Sequence, residues 1–209
     1  MKTKKSLLKA DSKSSGATAR PGRPRSSSSH TAILTAALKL LRQQGYRSVT
    51  IEGIAAEAGV GKQTIYRWWP SKAAVVLEAF AQRTADRITM PDTGSVQGDL
   101  EVFLGQAFEM LTRESGQMVR SLMSEALLDV EFSVSMREIF IASRRRALRD
   151  ILIRGIKRGE IPSDVDIELV IDLVYGPMWY RLLNNHAPLD KAFARQLSHM
   201  ITASLRPPG

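Results

Sequence analysis

The sequence predicts an all-α protein in which a three-helix N-terminal domain is joined to a larger C-terminal helical domain. Apolar residues recur at intervals of three and four from Thr31 almost to the end of the chain, which is the spacing of amphipathic helices. No stretch alternates apolar and polar residues between turn signals, so we expect no sheet. Two short apolar segments joined by the glycine-containing turn 58–61 indicate a helix-turn-helix.

The helices of the N-terminal domain follow from local capping and turn signals. We expect the first helix over about residues 29–44, ended by a glycine, and a second helix that starts after Thr50, whose hydroxyl can cap it. Gly59 ends that helix, because glycine tolerates the left-handed conformation of a helix C-terminus. The third helix runs over residues 62–69, and Pro70 stops it because proline cannot donate the next backbone hydrogen bond.

Five longer helices are expected in the larger domain, and their limits are set by Gly, Pro and Asn residues. The resulting organisation is a tail over 1–28, a helix-turn-helix domain over 29–75 and a larger domain over 76–209. The five helices are predicted at roughly 96–112, 116–129, 132–158, 164–185 and 189–204.

The composition limits the chemistry that the chain can perform. Of its 209 residues 44% are hydrophobic, which allows a substantial core, and none is Cys, which excludes disulfides, thiolate metal sites and cysteine nucleophiles. The three His lack metal-ligand spacing, and no nucleophile motif or phosphate loop is present, so we predict no enzyme, metal or cofactor. No apolar run reaches the roughly 20 residues of a membrane helix, so we expect no segment that spans a membrane. The absence of Cys suits a reducing cytoplasm, where we expect the protein to act.

The net charge of +9 is concentrated at the N-terminal end of the chain. Residues 1–28 carry +7, residues 29–78 carry +3, and the remainder is close to neutral. This asymmetry indicates a polyanionic partner; on charge alone, nucleic acid, an anionic membrane surface and a merely solubilising tail all remain open. Because residues 1–28 are rich in Ser, Lys, Pro and Gly, we expect them to be disordered.

The segment Arg-Pro-Gly-Arg-Pro-Arg at 20–25 resembles the Gly-Arg-Pro core of AT-hook-like arms. Proline keeps such a segment extended and narrow, so Arg23 and Arg25 can enter the narrow minor groove of A·T-rich DNA. The alternative is a flexible basic leader that is attracted to phosphates without a fixed contact.

The third predicted helix has one apolar and one polar face. Ile65 and Trp69 lie one turn apart and should face the core, which directs Gln63 and Arg67 outward. Gln can pair with adenine and Arg with guanine, so this face is suited to reading base edges. Short helix pairs are also common in all-α cores, and on shape alone Arg67 can be a solvated surface residue.

The segment GVGKQTIYRWWPSKAAVVLEAF, from Gly59 to Phe80, resembles the signature of TetR-type regulators. Three departures concern the recognition helix. Gly61 stands where that family usually has a capping Ser or Thr, and Lys62-Gln63 is bulkier than the small residue often found at the position of Gln63. Trp68-Trp69 replaces a commoner His-Phe type pair. We expect these departures to alter the sequence preference and to leave the binding mode intact. The matching positions are Thr64, Ile65, Tyr66, Trp69 and Lys72, together with the second-helix opening at 50–55.

The resemblance implies a set of DNA contacts around the recognition helix. The residues that it places in or beside the major groove are Gln63, Thr64, Arg67 and Trp68, and those that it assigns to anchoring the phosphate backbone are Thr50, Thr64, Tyr66 and Lys72. The AT-hook-like segment separately makes Arg23 and Arg25 candidates for the minor groove. The predicted DNA-binding residues on the helix-turn-helix are Thr50, Lys62, Gln63, Thr64, Tyr66, Arg67, Trp68 and Lys72.

The larger domain is rich in Met and Phe, and most of these residues must form a packed core. Methionine repacks easily, so an apolar ligand cavity between the helices is the alternative, and the TetR resemblance implies such an effector pocket. The candidate pocket residues are Phe103, Phe108, Met118, Leu122, Met136, Phe140 and Trp179.

The last two helices carry broad apolar faces, and the stretch 176–190 resembles the C-terminal domain of one TetR subgroup. Members of the family dimerise by pairing two helices from each chain, and a two-fold dimer implies a palindromic operator. The same side chains can also form the core of a single chain. The candidate interface residues are Val174, Met178, Leu182, Leu197 and Ile201.

A basic run, Arg144 to Arg146 with Arg149, lies on the third long helix of the larger domain. A solvated helix face explains such a run most simply, and an anion-binding patch is the alternative.

These observations predict a DNA-binding transcription regulator, specifically a repressor that binds a palindromic operator as a homodimer and is relieved by a small apolar or amphipathic ligand. The expected partners are double-stranded DNA, a second copy of the chain and an unidentified small-molecule effector. A nonspecific, nucleoid-type DNA binder is the second hypothesis; it fits the basic tail but does not explain the helix-turn-helix or the large neutral domain.

Overall fold

The computed structural model describes residues 25–85 and 87–205, without the side chains of Arg25, Ser26 and Glu114. Arg23 and most of the expected tail lie outside the described residues, and Arg25 is described only as the first backbone position of a helix. Every regular element in the described ranges is a helix, so the all-α prediction is confirmed for this part of the chain.

Four helices form the N-terminal part: α1 (Arg25–Ser48), α2 (Ile51–Ala58), α3 (Lys62–Tyr66) and α4 (Lys72–Ala85). The first helix begins four residues earlier than predicted. Gly45 interrupts it at a φ of +73°, as its sequence position indicated, and the chain then turns Tyr46 into the core.

The larger domain consists of α5 (Val96–Met110), α6 (Gly116–Leu128), α7 (Val130–Ser135), α8 (Ala142–Lys157), α9 (Ile167–Asn184) and α10 (Lys191–Ser204). Four of these helices begin at a side chain that accepts a hydrogen bond from the backbone three residues later, which satisfies one donor of the first turn. These N-caps are Ser95, Asp129, Asp166 and Asp190.

Two π-helical turns lie where the sequence predicted a break between two helices in one case and a continuous helix in the other. Leu111–Ser115 connects α5 to α6, and Met136–Ile141 connects α7 to α8, so the predicted helix 132–158 is in fact two α-helices with a wide turn between them. Gly116 permits the first π turn, because a Cβ at that position would lie 2.2 Å from the carbonyl oxygen of Leu111.

The core runs continuously through both domains. In the N-terminal part α1 packs against α2 and α4, and in the larger domain α5 packs against α10 and α8. Helix α4 also packs against α7 and the second π turn, so it belongs to both packing units. The two packing units therefore share α4, and α1 also packs against α6.

A buried carboxylate fixes the loop that follows α4. Asp99 on α5 accepts hydrogen bonds from the backbone N–H of Thr93 at 2.6 Å, from the Thr93 hydroxyl at 2.9 Å and from Arg154 of α8 at 3.1 Å. Burial alone would raise the pKa of Asp99, but the bonds from Thr93 and Arg154 outweigh it and hold that pKa below its usual value. The charged form of Asp99 therefore ties this loop to two helices of the larger domain.

Candidate nucleic-acid interface

Local hydrogen bonds define the helix-turn-helix. The Thr50 hydroxyl accepts a bond from the backbone N–H of Gly53 at 3.0 Å, which caps α2 as predicted. Gly59 ends α2 with a φ of +66°, in the left-handed conformation expected for it. Gly61 precedes α3 without a side-chain cap, so the recognition helix lacks the bond that a Ser or Thr would supply there.

Helix α3 is short and presents its polar side chains outward. Ile65 is fully buried and Trp69 is 2% exposed, which confirms the inward face predicted from the sequence. The helix predicted over 62–69 is three residues shorter than expected. Regular α-helix ends at Tyr66, and a turn carries the chain through Arg67 and Trp68 to the buried Trp69. Of the residues expected in or beside the major groove, three are exposed, Gln63, Arg67 and Trp68, and Thr64 is half-buried. Tyr66, which was expected to anchor phosphates, is also exposed.

A cluster of aromatic rings holds the end of α3 against α1 and α4. The Trp69 indole N–H donates to Glu78 on α4 at 2.7 Å, which anchors the end of α3 to α4. The ring of His30 on α1 lies 4.7 Å from that of Trp69 and meets the exposed Trp68 edge-on at 5.1 Å. The sequence predicted no contact for His30, since nothing local links it to residues almost forty positions away.

Lysine 62 lies at the first position of α3. Its Nζ is 3.0 Å from Oε1 of Glu52 on α2, and both side chains are well exposed. Hydrogen bonding to its own backbone N–H and to Lys62 holds the pKa of Glu52 below its usual value. An exposed pair of this kind is weak, so Lys62 can exchange Glu52 for a DNA phosphate at little cost.

Lysine 72 opens α4 and is partly buried. Its Nζ donates to the carbonyl oxygen of Tyr46 at 3.2 Å and lies 4.1 Å from the centre of the Tyr46 ring. Burial lowers the pKa of Lys72, and the carboxylates of Glu125 and Asp129 partly oppose that effect. The sequence assigned Lys72 to phosphate anchoring; the structure places it at the junction of α1 and α4, below the exposed surface of α3.

Two of the seven predicted pocket residues line one cavity in the larger domain, and the other five lie outside it. Phe140 and Trp179 line a cavity of about 420 Å³ between α6, α8, α9 and the second π turn. Met118 is half-buried against the core. The remaining four are fully buried core residues that do not line this cavity: Phe103, Phe108, Leu122 and Met136.

The predicted interface residues point into their own chain. All are less than 9% exposed, because they form the inner faces of α9 and α10: Val174, Met178, Leu182, Leu197 and Ile201. A side chain that is buried within one chain offers little surface to a second copy of that chain. The large apolar residues that these helices leave exposed are Leu169, Leu173, Tyr180, Leu183 and Met200.

The basic run on α8 is neither uniformly solvated nor a single anion-binding patch. Arg145 pairs with Glu168 of α9 at 2.6 Å and with Asp172, and Arg149 also pairs with Glu168. Arg144 reaches in the opposite direction, toward α4, and only Arg146 is exposed. The run therefore ties α8 to two neighbouring helices.

In the ranges described, no helix combines the length and the apolar character needed to cross a membrane. The same ranges bring together no group of three His, Asp or Glu side chains able to hold a metal ion.

Two family models match the chain along most of its length. Residues 33–79 match the model described as bacterial regulatory proteins of the tetR family, and residues 90–201 match the tetracyclin repressor-like C-terminal domain. The first match contains the whole helix-turn-helix, and the second contains α5 to α9 and most of α10. The chain belongs to the TetR family of transcriptional regulators.

Similar proteins agree with this assignment. An uncharacterized HTH-type transcriptional regulator of Bacillus subtilis, YdeS, is 39% identical over 84% of this chain and 89% of its own. The DNA-binding transcriptional repressor TetR of Mycobacteroides abscessus is 30% identical over 85% of this chain and 94% of its own. The crystal structure of the TetR family regulator SCO0332 superposes with a TM-score of 0.75 and 31% identity, over 86% of this chain and 99% of that one.

Membership of the TetR family makes this protein a helix-turn-helix transcriptional regulator, from a family of regulators and not of enzymes. It also confirms the resemblance on which the sequence-based assignment of the recognition helix relied.

The turn between α2 and α3 provides a matched pair of glycines for a stability test. Gly59 has a φ of +66°, whereas Gly61 has a φ of −77°, and a Cβ at either position would meet no atom within 4 Å. We expect Gly59→Ala to lower the free energy of unfolding by about 1 kcal/mol, because only Gly59 adopts a conformation that strains an L-residue. Gly61→Ala should be nearly neutral. Urea unfolding followed by circular dichroism measures both, and equal losses would contradict a backbone origin.

Proposed function

We propose that the protein is a homodimeric repressor that binds a palindromic operator and is released from it by a small ligand. The observation that carries the proposal is the surface of α3, where Gln63 and Arg67 are exposed above a firmly buried Ile65. A rigid inner face with long polar side chains outside is the arrangement that reading base edges in a major groove requires. The name of the Mycobacteroides abscessus relative supports repression.

The DNA contacts divide into base-reading and phosphate-anchoring sets. Gln63 and Arg67 would pair with adenine and guanine, and Thr64 would touch a thymine methyl. Phosphate anchoring would come from Lys62, Tyr66 and Lys72, and Lys72 lies at the first position of α4, where a helix N-terminus favours anions. Thr50 already caps α2 through its hydroxyl, so it would contribute mainly through the position it gives that helix.

Trp68 and the basic tail extend this surface. Trp68 is 44% exposed and held beside α1 by His30, so its ring would pack against the sugar-phosphate backbone at the edge of the groove. Arg23 and Arg25 would add a minor-groove contact from the N-terminal side.

Dimerisation would use an exposed apolar stripe on α9. Five exposed residues of α9 follow one another at intervals of three and four positions, so they lie on one side of the helix. We call this set the α9 stripe: Leu169, Leu173, Gly176, Tyr180 and Leu183. Gly176 lies near its centre, and the absence of a side chain there would let a second α9 approach closely. An exposed stripe of large apolar residues is typical of a protein-protein interface.

The domain organisation follows from these assignments. We propose a DNA-binding domain that ends near residue 75 and a ligand-binding and dimerisation domain over 76–209, preceded by a basic tail. The two family-model matches, 33–79 and 90–201, support this division, and α4 would serve as the link between the parts. A protein that binds chromosomal DNA in this way would act in the cytoplasm of a bacterium.

The proposal is tested by selecting bound sites from a random double-stranded DNA pool with the full-length protein. We expect a palindrome whose half-sites are separated by about one helical turn, roughly 10 base pairs, because a two-fold dimer presents two equivalent helices. Fluorescence anisotropy at fixed salt then compares the selected site with a scrambled duplex of the same composition. Equal affinity for the two duplexes would favour a nonspecific, nucleoid-type binder and contradict the proposed repressor.

A further inference from the structure

The cavity in the larger domain combines apolar walls with two partly buried arginines, Arg144 and Arg145. Its volume of about 420 Å³ lies within the range of small-molecule pockets, roughly 300–1,000 Å³. The Arg144 guanidinium lies 5.3 Å from the centre of the Phe140 ring, which is part of the same wall. The apolar part of the lining comes from Met123, Phe140, Ile141, Tyr175 and Trp179.

The charge of Arg144 is not neutralised by any carboxylate among the described residues. Asp172 also lines the cavity, but it pairs with Arg145. The Nε of Arg144 is buried and has no hydrogen-bond partner, and burial lowers the pKa of its guanidinium. Burying a cation with an unused donor costs free energy unless an anion pairs with the charge or an acceptor binds the donor. The site is therefore suited to a negatively charged group.

The other side of the same guanidinium contacts the helix that leads to the DNA-binding domain. Arg144 Nη2 donates to the Ala81 carbonyl at 3.0 Å and to the Thr84 hydroxyl, both on α4. Tyr175 fixes the backbone at this point, because its hydroxyl donates to the Arg144 carbonyl at 2.9 Å. A carboxylate that binds the guanidinium side-on uses the free Nε and the adjacent Nη2, so it would compete with α4 for Nη2.

We propose that this cavity binds an amphipathic carboxylic acid, whose apolar part lies against Phe140 and Trp179 and whose carboxylate binds Arg144. The assignment rests on the proposed function, since it names the chemical class of the effector. The carboxylate draws the guanidinium away from Ala81 and Thr84, which loosens α4 where it meets the larger domain. Arg144 is thus both the residue that recognises the acid and the residue that reports its presence to α4.

Matched pairs of acids and alcohols test the assignment, because each pair has the same apolar part and differs in charge. Isothermal titration calorimetry on the full-length protein compares decanoate with decanol, phenylbutyrate with phenylbutanol, and naphthylacetate with naphthylethanol. We expect at least one acid to bind about tenfold or more tightly than its alcohol, as a charge-assisted hydrogen bond in a partly buried site provides. Equal binding within all three pairs, or no binding of any probe, would overturn the proposal.

Variants locate the preference on one side chain. Arg144→Gln should abolish the preference for the acid, whereas Arg146→Gln, two residues along α8 and exposed, should retain it. If Arg144→Gln does not fold, Arg144→Lys replaces it, because it keeps the charge and removes the Nε donor, and the preference should fall several-fold. A preference that survives unchanged in the Arg144 variant would contradict the assignment.

The DNA selection described above uses no acid or alcohol, so it tests the proposed repressor independently of the proposed ligand class. Selective DNA binding without a preference for acids would refute only the ligand class. A preference for acids that depends on Arg144, in a protein that binds all DNA equally, would refute the proposed repressor and leave the acid site standing.

Discussion

Leu173→Glu is expected to convert the dimer into a monomer and to lower affinity for the selected operator by a factor of about 10² to 10⁴, which is the gain that two linked binding units provide. Leu173 is 51% exposed and lies in the α9 stripe, about one helical turn before Gly176. In a two-fold interface the substitution occurs twice, so two carboxylates would be desolvated close to each other. Each monomer would then hold one half-site with one recognition helix.

Leu127→Glu is the matched control for this experiment. Leu127 is 85% exposed at the end of α6, outside the α9 stripe, so the same change in chemistry should leave both mass and DNA affinity unaltered. Analytical ultracentrifugation measures the mass, and anisotropy with the operator duplex measures the affinity. If the Leu173 variant remained a dimer while binding the operator normally, the α9 stripe would not be the interface.

The exposed face of α9, which we propose as the dimer interface, could not be read from its sequence for a physical reason. Apolar residues occupy both sides of this helix, with Leu173 next to Val174 and Leu182 next to Leu183, so periodicity does not distinguish an inner from an outer face. The packing of α9 against α8, α10 and α6 decides which side of the helix is buried. Val174 and Leu182 lie on the buried side, and their neighbours Leu173 and Leu183 are exposed.

The helix-turn-helix was predictable because its determinants are local. Thr50 caps the helix that it precedes, Gly59 supplies the left-handed turn, and Ile65 and Trp69 follow the helical period within a single short segment. Each of these signals acts over at most a few residues, so sequence alone was sufficient to identify the inward and outward faces of α3.

Contacts between distant segments were not predictable in the same way. Arg144 and Thr84 are sixty residues apart, and in the sequence Arg144 is one member of a basic run whose neighbours have different partners. The two π turns were missed because their hydrogen-bond shift leaves the apolar spacing nearly intact, and only Gly116 gives a local indication. The recognition surface is thus fixed locally, whereas the effector and dimer surfaces depend on tertiary packing.

Arg67→Ala is expected to weaken binding to the selected operator by about 1–3 kcal/mol per half-site, and to relax the preference at one base position in each half-site. Arg67 is exposed at the end of α3, one turn after Gln63, and no ion pair to it is found among the described residues. Its guanidinium is therefore available for a guanine edge, and the loss should be largest on the selected sequence. Site selection and anisotropy with single-base variants of the operator measure both effects.

Two further variants separate base reading from general attraction to DNA. Lys62→Ala should weaken binding to the operator and to a scrambled duplex alike and reduce the salt dependence, because a phosphate contact carries no sequence information. Arg146→Ala removes an exposed charge on α8 in the larger domain, and DNA binding should be unchanged. If Arg67→Ala instead lowered affinity for every duplex equally, Arg67 would be a phosphate contact, and the base reading would fall to Gln63 and Thr64.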